Sequence, residues 1–367
     1  MRTPLPLTSA PQRLAHAAPP PVRVVVVDDS LTARAVLSRL VAGEADMAVV
    51  GSAASAEEAI ALLGTVGADV ILLDLEMPGM GGMKALPALI AAGRGARVLV
   101  VSTLAAEGAE ATVAALALGA ADTIRKPEAG RFDTAYRQQL TDRIRAVGCS
   151  AQPIGLAPAL RPRPPLLRRG PERPLRALAL GASTGGIHAL GQFFAALPRR
   201  IAAPILVTQH LPPAFMPVFA RQLEHASGRS AEVAADGTLL RDDVILVAPG
   251  HAHMTVRERA GQVRVVLDTT PLETNCLPAV DPMFASLADV FGAGVTAVVL
   301  TGMGRDGLAG ARRIVAAGGG VLAQDEESSA VWGMPRAVVL GGCASAVLPP
   351  DALAGRIAAE VGAQAWI

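Results

Sequence analysis

Ser183, His210 and Asp306 stand far apart in the chain, yet each lies at or just beyond the end of an apolar run. Residues 177–180 lead into Gly181-Ala182-Ser183-Thr184-Gly185-Gly186. Residues 204–208 lead into Gln209-His210, and residues 295–300 into Thr301-Gly302-Met303-Gly304-Arg305-Asp306-Gly307. Continuous apolar runs of this length read as buried parallel strands. In open α/β sheets a ligand sits outside the carboxyl ends of such strands, so three distant side chains can meet in one crevice. A serine nucleophile, a histidine base and a carboxylate that orients the base are the parts of a hydrolytic triad.

The Gly181–Gly185 stretch fits the G-x-S-x-G turn of a nucleophile elbow. The same glycines also suit a phosphate-binding turn at a helix N-terminus. A nucleotide site would want a P-loop lysine or a ribose-binding acid, and this half of the chain has no lysine. A hydrolase wants a base and backbone donors for an oxyanion; His210 and the Gly302-Met303-Gly304 turn offer both. The order Ser…His…Asp differs from that of the α/β-hydrolases, which points to a separate solution of the same geometry.

Other residues compete for these roles. His251 and His253 are two apart but lack a third ligand at useful spacing, which argues against a metal there. His188 and His225 read as ordinary polar positions on helices. Asp281 and Asp325 compete with Asp306, which is favoured because it follows a strand directly within a glycine-rich turn. Cys276 is disfavoured as a nucleophile, since no histidine is near it in sequence and its flanks read as loop.

A second set of strand ends lies nearer the N-terminus. Residues 24–27 are four valines followed by Asp28-Asp29, and residues 70–73 run into Asp74-Leu75-Glu76. Residues 98–101 run into Ser102-Thr103, and Ile124-Arg125 into Lys126-Pro127. Clustered carboxylates repel and call for a cation, and hard oxygen ligands suit Mg²⁺. With Lys126, such a site could neutralise a phosphoryl group during transfer to a carboxylate. Only two of the 33 basic residues are lysines, Lys84 and Lys126, so a lysine here is informative.

The elements that must position these residues follow from the patterning. Strand-like runs at 22–27, 47–51, 70–73, 97–101 and 122–124 alternate with helical spacing such as 32–41 and 57–63. That alternation predicts a five-stranded parallel sheet covered on both faces. Residues 148–174 are crowded with prolines and arginines and read as an extended basic linker, placed at 146–175. A second α/β alternation, mostly parallel, fills residues 176–367. Residues 1–21, rich in proline and alanine, read as a disordered tail, or as residues ahead of a misplaced start codon. They lack the apolar core of a secretory signal.

The 367 residues are enough for two ordinary domains. A net charge of +1 lacks the footprint of a nucleic-acid binder. Three scattered cysteines suggest a reducing compartment without a disulfide framework. The mean hydropathy of +0.41 comes from alanine and valine, and no apolar run approaches 18 residues.

Residues 22–145 closely resemble the receiver domain of two-component response regulators, with its (βα)5 flavodoxin-like sheet. That resemblance implies Asp74 as phosphoacceptor and Mg²⁺ held by Asp28, Asp29, Asp74 and the Glu76 carbonyl. It also implies Ser102 and Lys126 as the phosphate switch. Residues 176–367 resemble the catalytic domain of the chemotaxis protein-glutamate methylesterases, the CheB family, on Gly181–Gly186, Gln209-His210-Leu211-Pro212, Ala248-Pro249-Gly250, 301–307, Ala323-Gln324-Asp325-Glu326 and Gly333-Met334-Pro335. By that match Ser183 is the nucleophile, His210 the base and Asp306 its orienter. Met303 supplies an oxyanion amide, with Thr184 beside the nucleophile.

The resemblance implies a cytoplasmic, phosphorylation-activated esterase, peripheral to a receptor array. It would demethylate methyl-accepting chemotaxis proteins, releasing methanol, and deamidate receptor glutamines. A chemotaxis histidine kinase would be the phosphodonor, and the esterase site itself needs no cofactor. The receiver would cover the active site until phosphorylated. Where the family commonly has R-P-S-V-D, this chain has Leu277-Pro278-Ala279-Val280-Asp281, which bears on substrate binding; Arg305 is the charge that could partly substitute. The alternatives are a surface-sensing pathway with a different methylated receptor, or a non-catalytic regulator. A DNA-binding output is disfavoured because the second half lacks a basic recognition helix.

Overall fold

Each half of the chain is a parallel sheet whose strand order reverses at one point. The structure, a computed structural model, describes residues 20–102, 106–126, 133–151, 167–168, 174–272 and 276–364. The expected tail therefore lies largely outside the described residues, as do 152–166 and 169–173 of the expected linker.

The N-terminal sheet holds β1 (Val22–Val27), β2 (Met47–Ala53), β3 (Val70–Asp74), β4 (Arg97–Ser102) and β5 (Asp122–Arg125). Its order is β2-β1-β3-β4-β5, with every pairing parallel. The connecting helices are α1 (Leu31–Ala42), α2 (Ala56–Leu63), α3 (Gly81–Ala92) and α4 (Ala106–Ala117), followed by α5 (Thr134–Ala151). Local chemistry sets the helix starts. The Ser30 hydroxyl accepts from the Ala33 amide at 3.3 Å, and the Ser55 hydroxyl from the Glu58 amide at 3.2 Å, each satisfying an otherwise orphaned donor. The valines of β1 are buried as expected for a strand covered on both faces.

Helix α5 corrects one boundary. It runs to Ala151, six residues into the stretch assigned to the linker from residue 146. The first proline comes only at Pro153, and Val147 is fully buried. A Cβ on Gly148 would lie 2.4 Å from Val22 Cγ1, so the helix uses that glycine to lie close on β1.

The C-terminal sheet is built from β6 (Ala177–Ala182), β7 (Ile205–Gln209), β8 (Ala231–Val233), β9 (Ile245–Val247), β12 (Val295–Val299), β13 (Gly320–Gln324) and β14 (Ala346–Leu348). The order is β14-β13-β12-β6-β7-β9-β8, all parallel. A separate antiparallel hairpin pairs β10 (His253–Arg259) with β11 (Gln262–Asp268). Among the described residues six α-helices accompany the sheet: α6 (Gly186–Ala196), α7 (Met216–Ser227), α8 (Val280–Phe291), α9 (Leu308–Ala316), α10 (Met334–Leu340) and α11 (Pro350–Gln364). The chain lays down β6, works outward through β7 to β8 and β9, then returns to place β12 on the other side of β6. That β6/β12 junction is the topological switch point, as β1/β3 is in the first sheet.

The two halves pack together. Helix α4 lies against α6 and α7. Val331 is buried in one apolar cluster with β1, β3 and β4 side chains of the first sheet. Among the described residues no helix is long and apolar enough to cross a membrane.

Candidate active site

Strand register carries the first two residues of the site to one edge. In the β6–β7 pairing Ala182 stands opposite Gln209, so the next residues, Ser183 and His210, leave adjacent strands side by side. The His210 amide donates to the Ala182 carbonyl at 3.1 Å. On the other side of β6, the Ser183 amide donates to the Thr301 carbonyl at 3.0 Å, which ties the serine to the loop after β12. Gly302 permits that approach: a Cβ there would lie 2.7 Å from Ser183 Cβ and 2.5 Å from Met334 Sδ. Gln209 Nε2 donates to the Ser183 carbonyl at 2.8 Å, fixing the turn from the β7 side.

The same loop delivers Asp306. His210 Nε2 lies 2.8 Å from Asp306 Oδ2. A carboxylate can only accept, so Nε2 carries the proton and Nδ1 presents its lone pair. Asp306 is 3 % exposed and also accepts from three backbone amides: Val280 at 2.7 Å, Asp281 at 3.1 Å and Gly307 at 2.9 Å. Burial opposes its charge, but the bond from His210 and the backbone amides prevail and hold its carboxyl below the usual range. Asp281 is the counterweight. Burial, with the neighbouring Asp306 charge, pushes its carboxyl up to about 6, against the amides of Gly310, at 2.7 Å, and Gly307.

Of the competing residues, Asp281 lies beside Asp306; the others fall elsewhere, with one exception. His253 is buried with both ring nitrogens in use: Nδ1 accepts from the Ala279 amide at 3.0 Å, and Nε2 lies 3.0 Å from the Thr270 carbonyl. It anchors the start of α8 rather than offering a ligand. Asp325 accepts from the Ser328 amide at 3.1 Å within its own turn. His188 sits on α6 with Nδ1 2.8 Å from the Ala117 carbonyl, a contact between the two halves. The exception is Cys276, whose Sγ, a His210 ring nitrogen and an Asp306 oxygen all lie within 4.8 Å of one another. Sequence proximity gave no hint of this, because the histidine that matters is on another strand.

Thr184 lies beside Ser183 and turns toward the first sheet. Its hydroxyl donates to Asp122 Oδ2 at 2.9 Å, and the Gly185 amide donates to the Ala121 carbonyl at 2.6 Å. Arg97 donates to the Ser329 carbonyl at 3.0 Å in the same region. Met303, on the loop beyond Gly302, is 49 % exposed at the crevice rim.

The acidic site lies at the other switch point. Oxygens of Asp28, Asp29 and Asp74 come within 4.8 Å of one another. Lys126 Nζ is 2.7 Å from Asp74 Oδ2 and 3.1 Å from Asp28 Oδ2. The longer contact is an ion pair without hydrogen-bond alignment, and it leaves Asp28 Oδ2 a buried oxygen without a hydrogen bond. Burial pushes Asp74 up, the Lys126 ammonium opposes this, and the Asp28 charge adds to the rise. An unsatisfied buried oxygen among clustered carboxylates fits a small hard cation. Ser102 Oγ is buried and lies 2.9 Å from Thr112 Oγ1 on α4. Glu76 is exposed, and its amide donates to Asp74 Oδ1 at 3.1 Å. Thr103 and Pro127 lie outside the described residues.

Comparison with known proteins matches both halves. Residues 178–357 match the CheB methylesterase family model, and residues 24–135 the response regulator receiver domain. A protein-glutamate methylesterase/protein-glutamine glutaminase of Nitrobacter hamburgensis is 40 % identical over 95 % of this chain and 96 % of its own length. The chain belongs to this methylesterase family. A second such protein, from Caulobacter vibrioides, is 42 % identical over 92 % of this chain and 99 % of its own. The catalytic domain of a Thermotoga maritima CheB methylesterase covers 50 % of this chain and 98 % of its own, at 34 % identity and a TM-score of 0.49. Within the methylesterase domain, the motif departure at Leu277 and Ala279 divides in two. Leu277 is 46 % exposed near the crevice, whereas Ala279 is fully buried under His253.

Proposed function

We propose that this methylesterase hydrolyses glutamate γ-methyl esters on methyl-accepting chemotaxis receptors, releasing methanol, and deamidates receptor glutamines by the same route. The observation that carries the reading is the 2.8 Å His210–Asp306 bond on strand ends flanking Ser183. The oriented His210 takes the Ser183 proton on Nδ1 as Oγ attacks the ester carbonyl. The tetrahedral oxyanion is met by backbone amides of the 302–304 turn, with Met303 as donor. His210 then returns the proton to the methoxy oxygen, and methanol leaves an acyl-serine. Water repeats the sequence, giving the glutamate and free Ser183; with a glutamine substrate the first product is ammonia.

In the receiver domain, Asp74 is the phosphoacceptor, served by a chemotaxis histidine kinase. Asp28, Asp29, Asp74 and the Glu76 carbonyl would hold Mg²⁺, which supplies charge neutralisation for the incoming phosphoryl group. Lys126 contacts the phosphoryl oxygens, and the Ser102 hydroxyl, now paired with Thr112, is the group free to turn toward them. The contacts from Ala121 and Asp122 to Gly185 and Thr184 hold the receiver over the nucleophile's turn before phosphorylation.

Methanol release from methylated receptor membranes tests the reading. Ser183→Ala should abolish it while leaving the circular dichroism unchanged. Release within about threefold of wild type would remove Ser183 from the nucleophile role, given that losing such a serine costs on the order of 10⁶ in kcat.

A further inference from the structure

The methylesterase reaction needs a serine, a histidine and a carboxylate, and gives Cys276 nothing to do. Yet Cys276 is half-buried at the crevice, its sulfur within 4.8 Å of both a His210 nitrogen and an Asp306 oxygen. Thiolate, imidazole and carboxylate are a donor set for a borderline-soft divalent cation of the zinc class. In a tetrahedral zinc site such donors stand about 3.3–3.6 Å apart, as bond lengths of about 2.0–2.3 Å require. All three donors lie within 4.8 Å of one another, so closing on an ion takes at most roughly 1.5 Å, and His210 with Asp306 already meets at 2.8 Å. His210, with a side chain 17 % exposed, leaves an approach for the ion and a water as fourth ligand.

We propose that His210, Cys276 and Asp306 form a binding site for a zinc-class divalent cation, and that occupancy switches the esterase off. The cation takes the position of the proton now shared between His210 Nε2 and Asp306 Oδ2. That proton moves to Nδ1, and the Cys276 thiol releases its own to solvent, so one proton leaves per ion bound. With Nδ1 protonated and Nε2 on the metal, His210 has no lone pair for Ser183. This differs from the acid cluster of the receiver domain, whose all-oxygen donors suit a hard cation.

The inhibition rests on His210 being the base; the binding does not, so the two are read separately. Chelator-treated full-length protein is titrated with Co²⁺, and the thiolate-to-cobalt charge-transfer absorption is followed. The band should appear in wild type and be displaced by Zn²⁺. It should be lost in Cys276→Ser and kept in Cys149→Ser and Cys343→Ser. His210→Ala and Asp306→Ala should each weaken Co²⁺ binding by at least about tenfold, since even an outer-shell partner is worth that much. No band in wild type, or a band that survives in Cys276→Ser, overturns the site. In parallel, Zn²⁺ should slow methanol release by wild type, a chelator should restore it, and Cys276→Ser should resist Zn²⁺ by at least about tenfold with its metal-free rate unchanged. A Cys276-dependent band without inhibition would leave the site standing and overturn its switching role, with His210's role as base.

Discussion

The two switch points of this molecule use one topological device for opposite electrostatic ends. At β1/β3, Asp28, Asp29 and Asp74 converge; Lys126 pairs with two of them, Asp28 and Asp74 each accept one backbone amide, and a buried Asp28 oxygen is left without a hydrogen bond. Burial pushes Asp74 up. At β6/β12, Asp306 is equally buried but accepts from His210 and three backbone amides, and its carboxyl is held low. Sheet topology decides where charge gathers; the number of donors around each carboxylate decides what it does. An under-donated cluster of oxygens suits a hard cation. A carboxylate met by four donors is held in its charged form.

That contrast can be broken in order of expected effect. His210→Ala should cost the methylesterase about as much as Ser183→Ala, on the order of 10⁶ in kcat, because a triad acts as a unit. Asp306→Asn should cost about 10⁴, by presenting the wrong histidine tautomer. Single-turnover methanol release checks both; a loss below tenfold for Asp306→Asn would detach it from His210. Asp74→Ala should keep the basal rate and lose all stimulation by a small phosphodonor with Mg²⁺. A hundredfold stimulation would correspond to about 2.7 kcal/mol of differential stabilisation.

Asp122→Ala sharpens the link between the two sites. It removes the acceptor of the Thr184 hydroxyl, a bond to a charged group worth about 1.5–3 kcal/mol. Asp122 also pairs with Arg143 inside the receiver at 2.8 Å, so part of the loss falls there. The unphosphorylated rate should rise about tenfold, as 1.4 kcal/mol of released closure implies. The smallest effect concerns Asp281. Its folded carboxyl titrates near 6, above the ordinary aspartate value of 3.8, so the native state holds a proton that the unfolded chain has given up. Stability contributed by that proton is present at low pH and is lost as pH rises through about 6. Asp281→Asn should flatten this part of the pH–stability curve measured by denaturant unfolding; an unchanged slope would refute the assignment.

Much of this was legible because apolar runs end where chemistry begins. Residues 24–27, 70–73 and 177–180 read as strands, and the residues after them fall at the two switch points. His210 and Asp306 were read from the ends of runs and do meet. What stayed hidden depends on contacts between distant segments. No histidine lies near Cys276 in sequence, and the one it approaches, His210, follows β7. The ring of His253 is occupied by Ala279 and Thr270, which no spacing rule links to it. The Thr184–Asp122 bond joins two domains whose docking leaves no periodic trace in either. The linker start at 146 falls within α5 because proline density sets an upper limit to a helix and says little about its last turn.

The most direct test labels full-length protein with a fluorophosphonate and follows the modified residue by peptide mass spectrometry. A nucleophile governed by the receiver predicts label on Ser183 alone. Labelling should be slow before phosphodonor and Mg²⁺ and faster after them. It should be unresponsive in Asp74→Ala and fast from the start in Asp122→Ala. Label on another residue, or a Ser183 rate that ignores both the phosphodonor and Asp122→Ala, would contradict the account.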